Sequence, residues 1–414
     1  LVSAASAEAH ALLEAFTDGV NHRMVSEPLP LEFRLLRFRP EPWVPEDSMA
    51  VLRLMAWGLS AYVETDMLAN TLRRTIGDEW TAAMFEGRQA ESPVIVREQG
   101  GTLRVPRVPD ALFPSGGASN AWAVAPERSM TGFALLANDP HLGYTNPSVW
   151  CEVSLEAPGL RVAGVTMPGL PGVAIGRTPT FAWGFTASMV SQTTLYREEL
   201  DESGASVREG SGWTPLSARV EEIVIKGRGA QPFPVRSTPR GPLYSDLTPG
   251  WSGPPVSLHW TGMEVSHELD AFLALNRATS VADAIAARAL AATPPLNMAA
   301  ADGSGNIATI SFGWLPIRPE PAGILDAAAH PPRYVPVEEL ALEINPSRGW
   351  IAQANNRIAS DGYQHPFHAF YEPLYRIRRI EDELGSRDRH SIADMRALQL
   401  DVYSESDPRH HSAG

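Results

Sequence analysis

Apolar positions follow two periods along this chain. In the first ninety residues they recur every three to four positions, as the buried stripe of a helix does. The segment "SAASAEAHALLEAFTDGVN" places Leu12, Leu13, Phe16 and Val20 on one such stripe. "EPWVPEDSMAVLRLMAWGLSAYVETDML" predicts a second helical block, with Asp47 or Ser48 as its N-cap. Residues 94–118, "VIVREQGGTLRVPRVPDALFPSGGA", are broken repeatedly by Pro and Gly-Gly and read as an exposed connector.

After Ser119 the period shortens to that of strands. Short runs such as "AWAVA", "FALLAND", "VWCEVSLE", "RVAGVTM", "FAWGFT" and "TLYREEL" are separated by Gly, Pro and Asn. "RVEEIVIK" and "VSLHW" follow, then helical "ELDAFLALNRATSVADAIAARALAA". Next comes a hairpin-like "LNMAAADGSGNIATISFGWLPIR", and a late helical region lies around 366–400. Strands mixed with helical blocks predict sheets covered by helices. There is no internal repeat and no low-complexity tract.

Composition narrows the classes. A 414-residue chain with 44% hydrophobic and 20% charged residues describes a well-buried globular protein of two or three domains, or one large layered one. A net charge of −14 without any Lys/Arg run argues against nucleic acid or an anionic membrane as the main partner. No window resembles a membrane span of about 20 apolar residues. The one cysteine, Cys151, excludes an internal disulfide framework and is expected to be a small buried residue of a strand. Opening on Leu1 and closing in "ESDPRHHSAG", the chain reads as a piece of a longer precursor whose address would not be visible here.

Several local patterns have plain explanations. "GSGNIA", residues 303–308, formally matches a dinucleotide fingerprint, but strand alternation continues through "IATISFG", so a hairpin turn is the better reading. His365 and His368 in "HPFH", and His267 with Glu268 in "SHELD", complete no metal set, because Ala271 stands where a second histidine would be needed. "LANDPHLGY", "GFTAS" and "QANNRI" each read singly as strand ends and turns. Their occurrence together, behind the "GGASNAW" junction, changes the picture.

The run from "SNAWAVAPERSMTGFALLANDPHLGY" to "FAWGFTAS" resembles the start of the large chain of the penicillin acylase family, whose members are N-terminal nucleophile hydrolases. The likeness extends upstream through "LLEAFTDGVN" and "LPLEFRLLRFRPEPWVPEDSM". Downstream it continues through "ADGSGNIATISFGWLPIRP" and "QANNRIASDGY" to "YRIRRIEDEL" and "ALQLDVYSESD", in the expected order. It implies an α+β, αββα four-layer sandwich with a helical N-terminal portion, and a chain truncated at both ends. The implied parts are a small-chain portion over 1–93, a connector over 94–118 ending at the self-cleavage point, and a large-chain portion over 119–414 that is incomplete at its C-terminus.

The resemblance also implies roles. Ser119 is the nucleophile and, once the Ala118–Ser119 bond is cut, the first residue of the large chain. His141 matches a position that is histidine in cephalosporin and acyl-homoserine-lactone acylases and glutamine in penicillin G acylases. Ala187 matches the residue whose backbone N–H faces the oxyanion, Asn355 the oxyanion-hole asparagine, and Arg376 an arginine that supports the site. By alignment Leu142, Val149, Ile175 and Phe185 would wall an apolar acyl pocket. Two departures stand out. Ala118 replaces the usual glycine. Ser191 and Thr194 lie where calcium-binding members carry aspartates, which speaks against a calcium cofactor.

A serine hydroxyl needs a base, and a new α-amine on the serine's own Cα, with a reference pKa of about 7.7–8.0, would supply one. Gly116 and Gly117 would give the connector the unusual backbone angles that the cut needs. His141 is expected to hold amine and hydroxyl in register. A Ser119–His141–Asp139 triad is the weaker assignment, because residues two apart would not easily stack as orienter and base.

The reading is therefore a self-processed, two-chain amidohydrolase acting between an apolar acyl group and a polar amine, with penicillins, cephalosporins or N-acyl-homoserine lactones as substrate types. His141 tilts it toward the lactones. A catalytically silent acyl-ligand binder and an inactive incomplete fragment are the rivals. The family's habit places such enzymes in the periplasm or outside the cell.

Overall fold

The computed structural model describes residues 1–81, 94–95, 118–143, 145–318, 323–328, 331–360, 363–365, 367 and 369–403. The connector beyond Ile95, its Gly116–Gly117 pair, His368 and the chain after Tyr403 lie outside the described residues. Ile95 itself is buried, and its N–H donates to Arg357 O at 2.8 Å, so the connector's first residues are docked where exposure was expected.

The N-terminal part is helical, with helices Ala7–Ser26, Leu31–Leu36, Pro45–Ser60 and Val63–Ile76. Ser6 caps the first of these, its hydroxyl accepting from Ala9 N at 3.2 Å. The third begins earlier than its sequence suggests. Pro45 opens it, and the Asp47 carboxylate reaches back to Val44 N at 2.9 Å, so Asp47 closes the first turn from inside the helix. The predicted single block breaks after Ser60, where Ser60 O accepts from Gln192 N and Tyr62 N donates to Thr193 Oγ1. Ala9, Leu13, Met49 and Leu52 pack with Leu269 and Leu273, which fastens this part to the rest.

Two sheets build the centre. One is a three-stranded antiparallel sheet with Ala118–Val124 between Trp350–Gln353 and Leu135–His141. The other has seven antiparallel strands, in the order Leu342–Ile344, Ile307–Phe312, Leu296–Asp302, Phe181–Ala187, Ile175–Arg177, Leu160–Thr166 and Cys151–Ala157. Ala121, Ala123 and Ile351 meet Ala299, Ala301 and Ile307 between the sheets, where alanines allow close approach. On the outer face of the large sheet, Trp183, Phe185, Met298 and Ile310 pack with Ala271, Leu275 and Ala284 of helices Glu268–Arg277 and Val281–Ala287. Those two helices were expected as one, and Ser280 interrupts them by capping the second at Asp283 N. On the outer face of the small sheet, Trp122, Val124 and Trp350 pack on Ile377, Ile380, Leu384 and Met395 of helices Tyr375–Gly385 and Ile392–Gln399.

The "GSGNIA" segment is a hairpin turn. The Asp302 carboxylate accepts from Ser304 N and Asn306 N, both at 3.0 Å, so no helix follows it. Cys151 is exposed, contrary to expectation, because its strand lies at the edge of the large sheet. Among the described residues no helix is long and apolar enough to cross a membrane.

Candidate active site around Ser119

Strand alternation sorts the residues behind the Gly-rich junction. Ala121 and Ala123 face the large sheet, whereas Trp122 and Val124 face helix Tyr375–Gly385. Ser119 is in phase with the first pair and Asn120 with the second. One strand therefore sends a hydroxyl between the sheets and a neighbouring amide toward the Arg376 end of helix Tyr375–Gly385.

Two donors converge on that hydroxyl. Ala187 N, at the end of its strand in the large sheet, donates to Ser119 Oγ at 3.4 Å. Asn355 Nδ2 donates to the same oxygen at 3.2 Å and to Ala187 O at 2.9 Å. The other amide atom, Asn355 Oδ1, accepts from Ser119 N at 2.6 Å. Asn355 follows strand Trp350–Gln353 and has φ of +59°, a left-handed conformation that asparagine tolerates better than most residues. It is completely buried, and Ser119 is 6% exposed.

Arg376 closes the group from the helix side. Its Nη1 donates to Ser119 O at 2.8 Å and to Asn120 Oδ1 at 2.7 Å, and its Nη2 donates to Asn355 Oδ1 at 3.0 Å. Burial lowers its pKa, against the attraction of Glu372 and Asp139. Asn120 Nδ2 passes the contact on to Asp139 Oδ2 at 3.0 Å, and His141 Nε2 lies 2.7 Å from that same oxygen. Burial pushes the Asp139 carboxyl above the usual range, while Asn120, His141 and Arg376 oppose the shift.

Asp139 and His141 do pair, so the geometric objection to their stacking falls. Alternate residues of a strand share a face, and both side chains turn to the same side. The register sets His141 opposite Ala118 and Pro140 opposite Ser119, so this pair lies on the other sheet face from Ser119 Oγ. The structure thus brings Ser119, Ala187, Asn355 and Arg376 together, with His141 joined to them through Asp139 and Asn120.

The alignment-based pocket walls divide. Phe185 stacks edge-on with Phe272 and Phe312 in the helix-side core, and Ile175 packs against that core. Phe185 sits on the opposite side of the large sheet from Ser119, whereas Ile175 is in phase with Ala182 and Gly184, which face the small sheet. Leu142 and Val149 are half-buried just beyond strand Leu135–His141. His267 pairs with Asp270 at 3.5 Å and His365 with Glu339, so both serve local ion pairs.

Asn138 is a site residue that the sequence reading missed. Its Nδ2 donates to Asn120 O at 2.7 Å and to Phe185 O at 3.0 Å, and its Oδ1 accepts from Phe185 N at 3.1 Å, which ties the two sheets beside the site. An asparagine in phase with inward-facing positions of a strand was the available signal.

The residues that would bear on calcium do not suit it. Ser191 and Thr194 offer hydroxyls, and Ser191 Oγ accepts from the buried Arg318 guanidinium at 3.4 Å, a charge that repels a metal cation. Among the described residues no group of three or more His, Cys, Asp or Glu side chains is placed to hold a metal ion.

A family model described as Penicillin amidase matches residues 1–412. The chain is 30% identical, over 97% of its length, to the acyl-homoserine lactone acylase QuiP of Pseudomonas aeruginosa, of which it covers 51%. It is 29% identical, again over 97% of its length, to the penicillin acylase 2 proenzyme of Pseudomonas sp. strain SE83, of which it covers 54%. The chain thus spans about half the length of these relatives. Its fold is similar to that of the thermostable penicillin G acylase from Alcaligenes faecalis, with a TM-score of 0.59 and 24% identity, over 68% of this chain and 52% of that one.

Proposed function

The chain belongs to the penicillin amidase family, and on that premise we propose that it is the catalytic core of an amide hydrolase that cuts itself ahead of Ser119. The observation that carries this reading is the convergence of Ala187 N–H and Asn355 Nδ2 on Ser119 Oγ, at 3.4 and 3.2 Å. Two donors beside that hydroxyl are what an oxyanion on the carbon that Oγ attacks, two bonds from Oγ, would need. The three apolar clusters between successive helix and sheet groups support an αββα four-layer arrangement. Parts 1–93, 94–118 and 119–414 are then the small chain, the connector and the large-chain portion, and the mature form is a heterodimer.

In the unbroken chain the Ser119 nitrogen is an amide. It donates to Asn355 Oδ1 and has no basic lone pair. Ser119 Oγ would attack the Ala118 carbonyl carbon, and the C–N bond breaks as the nitrogen takes the hydroxyl proton. An ester forms, and water then hydrolyses it to the Ala118 carboxylate and a free Ser119 amine.

That amine becomes the base. It accepts the Oγ proton as Oγ adds to the substrate carbonyl, while Ala187 N–H and Asn355 Nδ2 hold the oxyanion. It returns the proton to the departing amine, leaving an acyl ester on Ser119 that water cleaves. Arg376 keeps Ser119 O, Asn120 and Asn355 Oδ1 in place, and His141 acts as a positioning residue through Asp139.

The substrate class is a linear amide between an apolar acyl group and a polar amine, as the names of both relatives imply for those proteins. N-acyl-homoserine lactones are the first choice, since His141 stands at the position that is histidine in acyl-homoserine-lactone acylases. Leu142 and Val149 would line the acyl pocket, and periplasmic or extracellular residence suits such a substrate. The test is release of a chromogenic amine from a set of acyl amides by processed protein, with mass spectrometry of the large fragment during turnover. Release together with an acyl adduct on Ser119 is expected. Processed protein that binds acyl amides and releases nothing would leave the silent binder in its place.

A further inference from the structure

We propose that the Arg318 guanidinium is an internal cation that does in this chain the structural work of a bound metal, fastening helix Val63–Ile76 to the loop behind Ala187. Arg318 is 4% exposed, and its Nη1 lies 3.6 Å from Oδ1 of Asp66, which is 0% exposed on that helix. Its Nη2 donates to Ser191 Oγ, and Ser191 Oγ lies 3.2 Å from both Thr193 O and Thr193 Oγ1. One buried cation thus bridges a carboxylate from before the cleavage point and a hydroxyl from after it. Ser191 and Thr194 lie in the neighbourhood where calcium-binding relatives would carry aspartates, and there a hydroxyl partner and a buried guanidinium occur together.

The charge arithmetic agrees. A divalent cation needs several carboxylates, whereas one guanidinium is balanced by one. Burial pushes Asp66 up to about 6, while Arg318 first and then Arg73 and the Gly323 hydrogen bond oppose the shift and favour the carboxylate. The loop so held, residues 188–192, follows Ala187 directly. Met189 has φ of +62° in it, and Gln192 N donates to Ser60 O at 3.0 Å.

The experiment is thermal unfolding of the processed protein after chelation and dialysis into metal-free buffer, with and without millimolar calcium. It is read by melting temperature, so it does not depend on the hydrolase reading. We expect neither treatment to move Tm by more than about 1 °C. Arg318→Met is expected to lower Tm by about 5 °C or more, without recovery in calcium, because it removes the strongest positive partner of the buried Asp66 and leaves only the weaker attraction of Arg73 and the Gly323 hydrogen bond. Adding Asp66→Asn to Arg318→Met is expected to lose no more than Arg318→Met alone, since the orphaned charge is gone. If Arg318→Met does not accumulate, Ser191→Ala removes only the hydroxyl end and is expected to lower Tm by less, again independently of calcium. A chelator-induced fall that calcium restores would overturn the proposal. So would an unchanged Tm in Arg318→Met, losses that simply add in the double variant, or calcium rescue of Ser191→Ala.

Discussion

Asn355 grips Ser119 at both of its reactive atoms, donating through Nδ2 to Oγ and accepting at Oδ1 from the backbone nitrogen. The same amide would therefore orient the base and bind the oxyanion. Asn355→Ala in processed protein is expected to lower kcat by about 10²–10³, with KM changed far less, because the lost donor matters most in the transition state. Steady-state kinetics on a chromogenic amide check this.

The pH profile reports the charges around the amine. Arg376 and Ser119 N share Asn355 Oδ1, so in a cleaved chain the guanidinium would disfavour a protonated amine at that nitrogen. Arg376→Gln is expected to raise the amine's pKa, moving the acid limb of kcat/KM to higher pH by about 1 unit. The Asp139 carboxylate acts with the opposite sign. Asp139→Asn is expected to move the limb to lower pH, by less, because its charge reaches the amine only through Asn120. Profiles of both variants across pH 5–9 test the pair of signs.

Gly184 has no room for a side chain. A Cβ there would lie 2.5 Å from Asn138 Cβ, on the residue that ties the two sheets together. Gly184→Ala is expected to displace Asn138, lowering both stability and kcat, while Asn138→Ala in the same background costs little more. Denaturant midpoints and kcat of the two single variants and the double variant decide it.

Trp122 is completely buried under the helix that carries Arg376. Trp122→Ala is expected to destabilise by about 3–5 kcal/mol, whereas Trp122→Phe loses much less. Urea unfolding measures both.

Much of this was legible because it is local. Alternation identified the run 121–125, most of which lies in strand Ala118–Val124, and the hairpin at Asp302, and helical spacing identified the N-terminal part as helical. Motif likeness pointed to Ser119, Ala187, Asn355 and Arg376 as residues that meet. What stayed hidden depends on register and layer order, which no single segment encodes. Phe185 looks like a pocket wall in sequence, yet strand phase turns it to the helix side of the large sheet. Asp139 and His141 looked too close in sequence to pair, but an extended strand points both the same way. Asn138 and Arg318 act over sequence separations of 47 and 127 residues respectively, so neither announces itself locally.

The central claim is that the base at Ser119 is its own α-amine, made by cleavage. Intact mass and N-terminal sequencing of the purified protein test it most directly. The account predicts two fragments, the larger beginning at Ser119, and a single uncut chain for Ser119→Ala. An unbroken wild-type chain that hydrolyses acyl amides at full rate would contradict it.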